Sequence, residues 1–548
     1  MVLAAICSVA ACAGRKSGSA PDSGPRVDAG PPLVDVLTQH DDVARTGANM
    51  SEAILNTSNV NGSAFGKLFS VPVDGLIFAQ PLYVSNYAVG GKTRNVMVIA
   101  TAHNSVYAFD ADAGGSYLWQ TNLGLSVPSA VFPTRNILVE VGILSTPVID
   151  RANGLIYVTN KTYFPDTKDP TCQDAIPNLQ QFNLHVLSLA TGADVPGSPT
   201  VISATVPGTG GRTGRMITLN ACRTAQRPAL LLLGGTVYMA FASHEDYTPF
   251  HGWVLGYHYD TTNQTLTQTQ VLNLSSDGTG AGIWQGGQGL AAAPDNNIYG
   301  IVSNGTTNVQ DGGQSYGESF IKLSADLKVQ DWYVPTNWAG LTSGDWDLGS
   351  GGPVVIPGAH MVAGGGKQGI VYLLDTDNMG KFTDNGSVQS FQGTNQQWNG
   401  IFGGPIFWNN AESPRYYIWG EGDVVRGYPF SNGHFGTTAV TSTVSAPGSV
   451  PGGADPVGTL AVSSNGSKPG TGIVWGTRPA ANPDHVTVGG TLYAFDAVTL
   501  DELWDSEQNA ARDSYGSWAK FVSPTVINGK VYVATNSQQV VVYGLLGQ

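Results

Sequence analysis

Apolar and polar residues alternate in short runs over most of the chain, and turns rich in Gly, Asp and Asn separate the runs. Runs with this length and alternation predict β-strands. They recur in sets of three, and eight such sets can be recognised. The first run of each set, often opened by Pro, lies at Gln80–Val84, Thr146–Asp150, Arg227–Leu232, Gly289–Ala293, Gly352–Ile356, Gly404–Trp408, Gly458–Ser463 and Ser523–Ile527.

Each first run is followed by a second and a third run of similar character. The second runs lie at Val96–Ala100, Leu155–Thr159, Val237–Ala242, Ile298–Val302, His360–Ala363, Tyr416–Trp419, Ile473–Gly476 and Val531–Thr535. Six of the third runs lie at His185–Leu189, Val254–Tyr259, Phe320–Leu323, Val371–Asp375, Val425–Tyr428 and Val540–Tyr543. The other two third runs open two longer segments that are near copies of each other.

These two segments are the clearest repeat in the chain. Val106–Gln120 reads VYAFDADAGGSYLWQ, and Leu492–Asp505 reads LYAFDAVTLDELWD. Each has a strand, an Asp-containing turn and an outer strand that carries Trp119 or Trp504. Self-similarity of this kind is typical of repeat architectures, in which we expect each Trp to dock against the neighbouring repeat.

Eight sets, each completed by an outer strand, predict an all-β, eight-bladed β-propeller of four-stranded antiparallel blades. A seven-bladed ring is the alternative. The last set ends at Gln548 with three strands, and the segment Gly66–Val73 (GKLFSVPV) can supply its fourth. Closure by this N-terminal strand would leave the ring without free sheet edges, which otherwise invite aggregation.

Composition agrees with a β-rich, turn-rich chain: 71 Gly, 12 Trp and 21 Tyr accompany only 12% charged residues. The net charge of −14 opposes binding to a polyanion, so we expect no nucleic-acid partner. No stretch approaches the roughly 20 apolar residues that span a bilayer.

The N-terminus predicts export. Residues 1–11 are small and mostly apolar and lead into Val9-Ala10-Ala11-Cys12, which resembles a bacterial lipobox. We therefore expect residues 1–12 to be a signal segment with lipidation at Cys12, residues 13–34 a flexible Pro/Gly/Ser tether, and residues 35–548 a single propeller domain. By analogy with lipoprotein sorting, Ala13 favours an outer-membrane lipoprotein, at the periplasmic or the cell surface. The expected protein is a monomer that meets the membrane only through this anchor.

The remaining cysteines bear on redox chemistry. Cys172 and Cys222 lie in long loops and could form one disulfide in an oxidising compartment. The chain has no Cys-x-x-Cys-His sequence, so no covalently attached haem is expected.

Residues 237–380 carry a more specific resemblance. Glu245 follows the strand Val237–Ala242, and Asn304 follows Ile298–Val302. Asp345-Trp346-Asp347 comes later, and Lys367-Gln368-Gly369 precedes the segment IVYLLD. With the Trp-bearing repeats, these positions resemble the pyrroloquinoline quinone (PQQ) alcohol dehydrogenase superfamily, the quinoproteins.

The resemblance implies roles for these residues. Glu245, Asn304 and Asp347 would bind Ca²⁺, which suits their oxygen ligands and grips the quinone. Asp347 would also be the catalytic base, and Lys367 would stabilise negative charge on the quinone oxygen. Trp284 lies near the position at which the family has a Trp floor under the cofactor. These roles imply an exported oxidoreductase acting on alcohol or sugar hydroxyls.

Two departures from the family pattern leave alternatives to catalysis open. The family's adjacent pair of cysteines is absent, and Gly286–Gly289 (GGQG) occupies the expected Trp position. A non-catalytic lipoprotein propeller that serves as a scaffold for envelope proteins is the second interpretation. A propeller that binds or cleaves glycans is the third. Further charged or aromatic residues at strand boundaries are Glu140, Arg227, Trp398, Glu421, Asp423 and Lys520.

Overall fold

Eight antiparallel sheets, one for each predicted set of strands, form an eight-bladed β-propeller. The computed structural model describes residues 34–132, 137–169, 172, 178–210, 216–397, 399–448, 455–483 and 485–547. The eight-bladed prediction is confirmed. The expected signal segment, Cys12 and almost all of the tether lie outside the described residues.

The innermost strands of blades 1 to 8 come from the predicted first runs. They are Leu82–Val89, Val148–Asp150, Leu231–Leu233, Ala291–Ala292, Val354–Ile356, Ile406–Trp408, Thr459–Ser463 and Thr525–Ile527. The second strands are Lys92–Ala100, Leu155–Lys168, Thr236–Ser243, Ile298–Val302, Met361–Gly365, Arg415–Trp419, Ile473–Pro479 and Lys530–Thr535.

The third and outer strands complete the blades. The third strands are Ser105–Asp110, Asn178–Ser188, Trp253–Asp260, Ser319–Leu323, Ile370–Asp375, Val424–Ser431, Gly490–Asp496 and Gln539–Leu545. The outer strands are Trp119–Asn122, Thr200–Val201, Thr265–Asn273, Val329–Tyr333, Gln389–Gln392, Val440–Ser445, Glu502–Asp505 and Phe65–Pro72.

The other elements are short strands, helices and 3₁₀ turns. Additional strands are Ala48–Asn49, Val127–Pro128, Glu140–Val141, Thr205–Pro207, Met216–Thr218, Thr224–Ala225 and His434–Phe435. The helices are Trp338–Gly344 and Ala510–Asp513, with 3₁₀ turns at Ser129–Val131, Gln285–Gly287, Val309–Asp311 and Leu348–Ser350. Within the described ranges, neither helix has the length and apolar character needed to cross a bilayer.

The N-terminal strand closes the ring, as predicted. Phe65–Pro72 pairs antiparallel with Gln539–Leu545, so that blade 8 contains strands from both ends of the described chain. Phe65 is fully buried, and its ring lies 5.0 Å from that of Trp504 and 5.4 Å from that of Trp475, both in blade 7. The closing strand is thus held by packing as well as by backbone pairing.

The tryptophans of the two copied segments dock between blades. The indole N–H of Trp119 in blade 1 donates to the carbonyl of Leu189 in blade 2, at 3.1 Å. Trp504 in blade 7 packs against Tyr543 in blade 8 as well as Phe65, with ring centroids 5.5 Å apart. The hydrophobic core therefore lies between the faces of neighbouring blades.

A segment ahead of the closing strand, Val36–Asn49, runs along the inner strands. It makes hydrogen bonds with at least one residue at or beside the inner strand of every blade. Five of these bonds join inner-strand amides to carbonyls of the segment: Ile149 to Leu37, Ala292 to Val43, Val355 to Ala44, Phe407 to Thr46, and Val462 to Gly47. Others involve Tyr83 in blade 1, Leu230 in blade 3 and Val526 in blade 8. The sequence pattern did not predict this segment, which ties the eight blades together.

Candidate functional site

Loops from blades 1 to 5, 7 and 8 border a cavity of about 960 Å³ at one end of the propeller channel. Asp246 and Asn304 follow the second strands of blades 3 and 4. Asp347 lies between blades 4 and 5, and Lys367 lies between the second and third strands of blade 5. In a propeller these connections converge at the same end of the channel, so residues distant in sequence meet there.

The end of a short helix places two aspartates side by side. Helix Trp338–Gly344 stops at Asp345, which adopts the left-handed conformation with φ of 57°. The amide of Trp346 then bonds back to Leu341 at 2.9 Å, and the Trp346 ring packs against the apolar cluster between blades 4 and 5. Asp345 and Asp347, on either side of this Trp, border the cavity.

Asn304 connects three carboxylates. Its side-chain Nδ2 donates to Asp246 at 2.8 Å and to Asp345 at 2.6 Å, and its backbone amide donates to Asp347 at 3.2 Å. One oxygen from each of these aspartates lies within 4.8 Å of the others. The buried Oδ1 of Asn304 has no hydrogen-bond partner among the described residues. The group Asp246, Asn304, Asp345 and Asp347, called here the carboxylate cluster, is therefore rich in oxygen donors.

Lys367 is the cation of the carboxylate cluster. Its Nζ lies 2.7 Å from Asp347 and 3.1 Å from Asp345. Burial disfavours its charge, but the carboxylates of Asp347 and Asp345 outweigh this effect and raise the pKa of Lys367. The carboxylate cluster and Lys367 together hold three carboxyl groups and one ammonium group, so negative charge is in excess when all three acids are ionised.

The crowding of acids shifts their protonation. Burial, and next the charge of Asp347, raise the pKa of Asp246 to about 6. Burial also raises the pKa of Asp347, although Lys367 opposes the shift. Glu318, fully buried behind Asp347, accepts the amide of Leu348 at 2.8 Å, and burial raises its pKa well above the ordinary range. Burial thus favours the neutral form of Glu318, while Asp246 titrates near pH 6.

Aromatic rings lie beside the carboxylate cluster. Trp284 and Phe521 border the cavity, with ring centroids 6.1 Å apart. Phe402 stacks on Phe521 at 5.8 Å and contacts Trp284 at 6.0 Å. The Nζ of Lys367 lies 5.9 Å from the Trp284 ring centroid. The cavity therefore combines an apolar aromatic surface with charged and polar groups, as ligand sites commonly do.

The structure brings together most of the residues singled out from the sequence. Asn304, Asp347 and Lys367 meet in the carboxylate cluster, and Trp284 borders the same cavity. Glu245 also borders the cavity, but its neighbour Asp246 joins the cluster instead.

The sequence pattern predicted no role for Asp246, Asp345 or Glu318. Asp345 had one usable signal: it lies two residues before Asp347, in a turn that can present both side chains to one side.

The other predicted residues have varied surroundings. Cys172 and Cys222 are joined as a disulfide, with their Cα atoms 5.7 Å apart. Asp423 pairs with Arg426 at 2.7 Å, and Lys520 pairs with Asp455 at 3.0 Å. Arg227 borders the cavity. Glu140 bonds to His103, Glu421 is buried near Asp455, and Trp398 lies outside the described residues.

Comparison with known proteins identifies the fold. No protein-family model matches the chain, and no curated protein sequence matches it significantly. Quinohemoprotein alcohol dehydrogenases from Pseudomonas putida HK5 and Comamonas testosteroni are similar in structure. Their TM-scores are 0.57 and 0.54 at 13% and 14% identity, covering 96% and 95% of this chain and 82% of each of theirs. A europium-containing methanol dehydrogenase has a TM-score of 0.54 at 14% identity, and the alignment covers 93% of this chain and 98% of the dehydrogenase chain. The chain shares the propeller fold of these three structures.

Proposed function

We propose that the protein is a dehydrogenase of alcohol or sugar hydroxyls that uses PQQ and a bound metal cation at this cavity. The carboxylate cluster carries the proposal, because it places three acids, a lysine and an unpartnered amide oxygen on the wall of a cavity large enough for a cofactor and a substrate. The similar solved structures, which are quinohemoprotein alcohol dehydrogenases and a europium-containing methanol dehydrogenase, support the same reaction class.

The donor set fits a hard metal cation. Asp246, Asp345 and Asp347 offer carboxylate oxygens, the ligand type that Ca²⁺ and similar ions prefer. The Asn304 amide directs its Nδ2 to two of these acids, which offsets their charge in the absence of a cation. Turning this amide by 180° would offer its Oδ1 as a fourth oxygen. Charge also favours a cation, since one lysine does not balance three carboxylates.

The remaining surface fits a planar quinone. Trp284 and Phe521 provide aromatic faces, and Lys367 adds an ammonium group within 5.9 Å of the Trp284 centroid. When bound, a quinone would supply a two-electron acceptor, and the cation would polarise one of its carbonyls. The residues of the chain then provide orientation, charge and proton transfer.

Proton transfer falls to the acids of the carboxylate cluster. Lys367 at 2.7 Å favours the ionised form of Asp347, which can accept the proton of a substrate hydroxyl. Lys367 itself stays protonated and stabilises negative charge that develops on an oxygen beside it. Asp246 and Asp345, exposed at the cavity mouth with oxygens within 4.8 Å of Asp347, give the proton a polar route to solvent.

An activity assay tests the proposal. Purified protein is incubated with PQQ and Ca²⁺ or Eu³⁺, and a panel of alcohols and sugars is offered with an artificial electron acceptor. We expect acceptor reduction with at least one hydroxyl compound, and a loss of at least about 100-fold in Asp347→Asn. Asp326→Asn changes an exposed acid paired with Lys328 and should keep full activity. Absence of turnover under all metal conditions would contradict the proposal.

We also propose that the protein is exported and anchored by a lipid. The Cys172–Cys222 disulfide is of the kind that persists in oxidising compartments, and the lipobox-like sequence supports a lipid anchor at Cys12. Electrons would pass to a separate carrier, since the chain has no haem attachment sequence. Metabolic labelling with a fatty acid in a lipoprotein-processing bacterium tests the anchor: Cys12→Ala should abolish the label, and Cys172→Ala should keep it.

A further inference from the structure

A second charged site borders the cavity and has a different character from the carboxylate cluster. Arg227 precedes the inner strand of blade 3 and extends across the channel. Its guanidinium donates to three backbone carbonyls: Phe78 at 3.2 Å, Leu144 at 2.8 Å and Lys520 at 3.1 Å. These carbonyls precede the inner strands of blades 1, 2 and 8. The guanidinium therefore lies where the starts of four inner strands meet.

Arg227 has a buried charge without a counter-ion among the residues that the structure describes. Only 7% of the residue is exposed, and no described carboxylate lies within ion-pair distance of it. Three carbonyls satisfy three of its five N–H donors, but neutral dipoles do not cancel the charge. A buried, unpaired charge is costly, and the cost falls when an ion of opposite sign binds.

Two other buried cations show why Arg227 is unusual. Lys161 is fully buried, and burial lowers its pKa well below that of a free lysine, which favours the neutral amine. Burial lowers the pKa of Arg227 to about 10, so the guanidinium stays charged at pH 7. Arg45, also fully buried, has the charge of Asp42 nearby and lies away from the cavity. Arg227 thus combines a retained charge with access to the cavity.

We propose that Arg227 binds the carboxylate of the substrate, so that the substrate is a hydroxy acid. Its hydroxyl would lie toward the carboxylate cluster, and its carboxylate would meet the free N–H groups of Arg227. Arginine is suited to this because its planar fork matches a carboxylate. Lys520, the neighbouring cation on the cavity wall, is already paired with Asp455 at 3.0 Å. This inference rests on the proposed function for the oxidised hydroxyl.

Binding measurements without quinone or electron acceptor test whether Arg227 binds a substrate carboxylate, independently of turnover. Gluconate and sorbitol have the same number of carbons and differ by a terminal carboxylate, so they serve as paired probes in calorimetric titrations with chelator present. We expect wild-type protein to bind gluconate at least about 10-fold more tightly than sorbitol. Arg227→Gln should abolish this selectivity, and Arg227→Lys should keep part of it. Lys520→Gln, which removes a paired cation, should change the selectivity by less than about threefold.

Two results would overturn the inference. The first is equal affinity of the wild-type protein for gluconate and sorbitol, which needs no variant to fold. The second is an unchanged preference for gluconate in a folded Arg227→Gln variant.

PQQ also carries carboxylates, so Arg227 could bind the cofactor instead of the substrate. Titration of PQQ into the same variants separates these two ligands. If Arg227→Gln loses PQQ binding and keeps its selectivity for gluconate, Arg227 binds the cofactor and the substrate role is contradicted. An inactive enzyme that still selects gluconate leaves the inference standing and contradicts only the dehydrogenase proposal.

Discussion

The backbone amide of Asn304 donates to Oδ1 of Asp347 at 3.2 Å, across 43 residues of sequence and between loops of two blades. This bond fixes the position of one carboxylate while the Asn304 side chain holds two others. The fold thus gathers like charges and compensates them only in part, an arrangement that favours cation binding.

Asp347→Asn should weaken cation binding at the carboxylate cluster by at least about 10-fold, because it removes a buried anionic ligand. Luminescence of Eu³⁺ titrated into the protein measures this directly and counts bound waters through its lifetime. Asp326→Asn, at an exposed pair, is the control. Equal Eu³⁺ affinity in the two variants would place the cation elsewhere.

Cation affinity should depend on pH through Asp246. Its pKa of about 6 lies above the ordinary value, so this carboxyl is mostly protonated and neutral below pH 6 and no longer attracts or ligates a cation there. Affinity should therefore rise as pH increases through 6 and level off above pH 7. Titrations of Ca²⁺ between pH 5 and 8 should show this inflection in the wild type and lose it in Asp246→Asn. A flat profile in the wild type contradicts the assignment.

Asn304→Ala should destabilise the protein by about 1–2 kcal/mol, since two carboxylates lose a buried donor and repel each other. Asn263 makes a similar bond to Asp260 at 2.6 Å on the surface, and Asn263→Ala should cost less than about 0.5 kcal/mol. Chemical denaturation measures both. Similar losses of unfolding free energy in both variants would show that Asn304 has no special role.

Arg45→Ala should be strongly destabilising, by about 3 kcal/mol or more, because the side chain ties the N-terminal segment to the inner strands. Arg45 donates to the carbonyls of Leu230 and Leu290, both at 3.0 Å, and is fully buried. Arg94→Ala breaks a partly exposed pair with Asp110 and should cost less than about 1 kcal/mol. If thermal unfolding shows a larger loss of stability in Arg94→Ala than in Arg45→Ala, then Arg45 does not tie the N-terminal segment to the inner strands.

Much of the fold follows from the sequence, because each blade is built from local alternation and a turn. The closing strand was predictable since the last set lacked a partner and Gly66–Val73 supplied one. Val36–Asn49 has no strand-like period, and its hydrogen bonds come from eight blades, so only the folded ring reveals it.

The carboxylate cluster was predicted less completely. Asn304 and Lys367 follow the ends of second strands, and Asp347 lies in the connection that leads to the inner strand of blade 5, which fixes the end of the channel they face. Whether Glu245 or Asp246 joins them depends on a turn in which both residues have positive φ, 45° and 51°. A shift of one residue in such a turn would direct Glu245 instead of Asp246 toward the carboxylate cluster. The alternation of apolar residues in the neighbouring strands does not predict which of the two residues faces it.

Calorimetric titration of PQQ into the purified protein, with about 1 mM Ca²⁺ and again with chelator, measures whether the cavity binds a quinone through a cation. We expect one-to-one binding that requires Ca²⁺ and is lost in Asp347→Asn. Absence of PQQ binding to the wild-type protein with Ca²⁺ and with Eu³⁺ would contradict the proposed function.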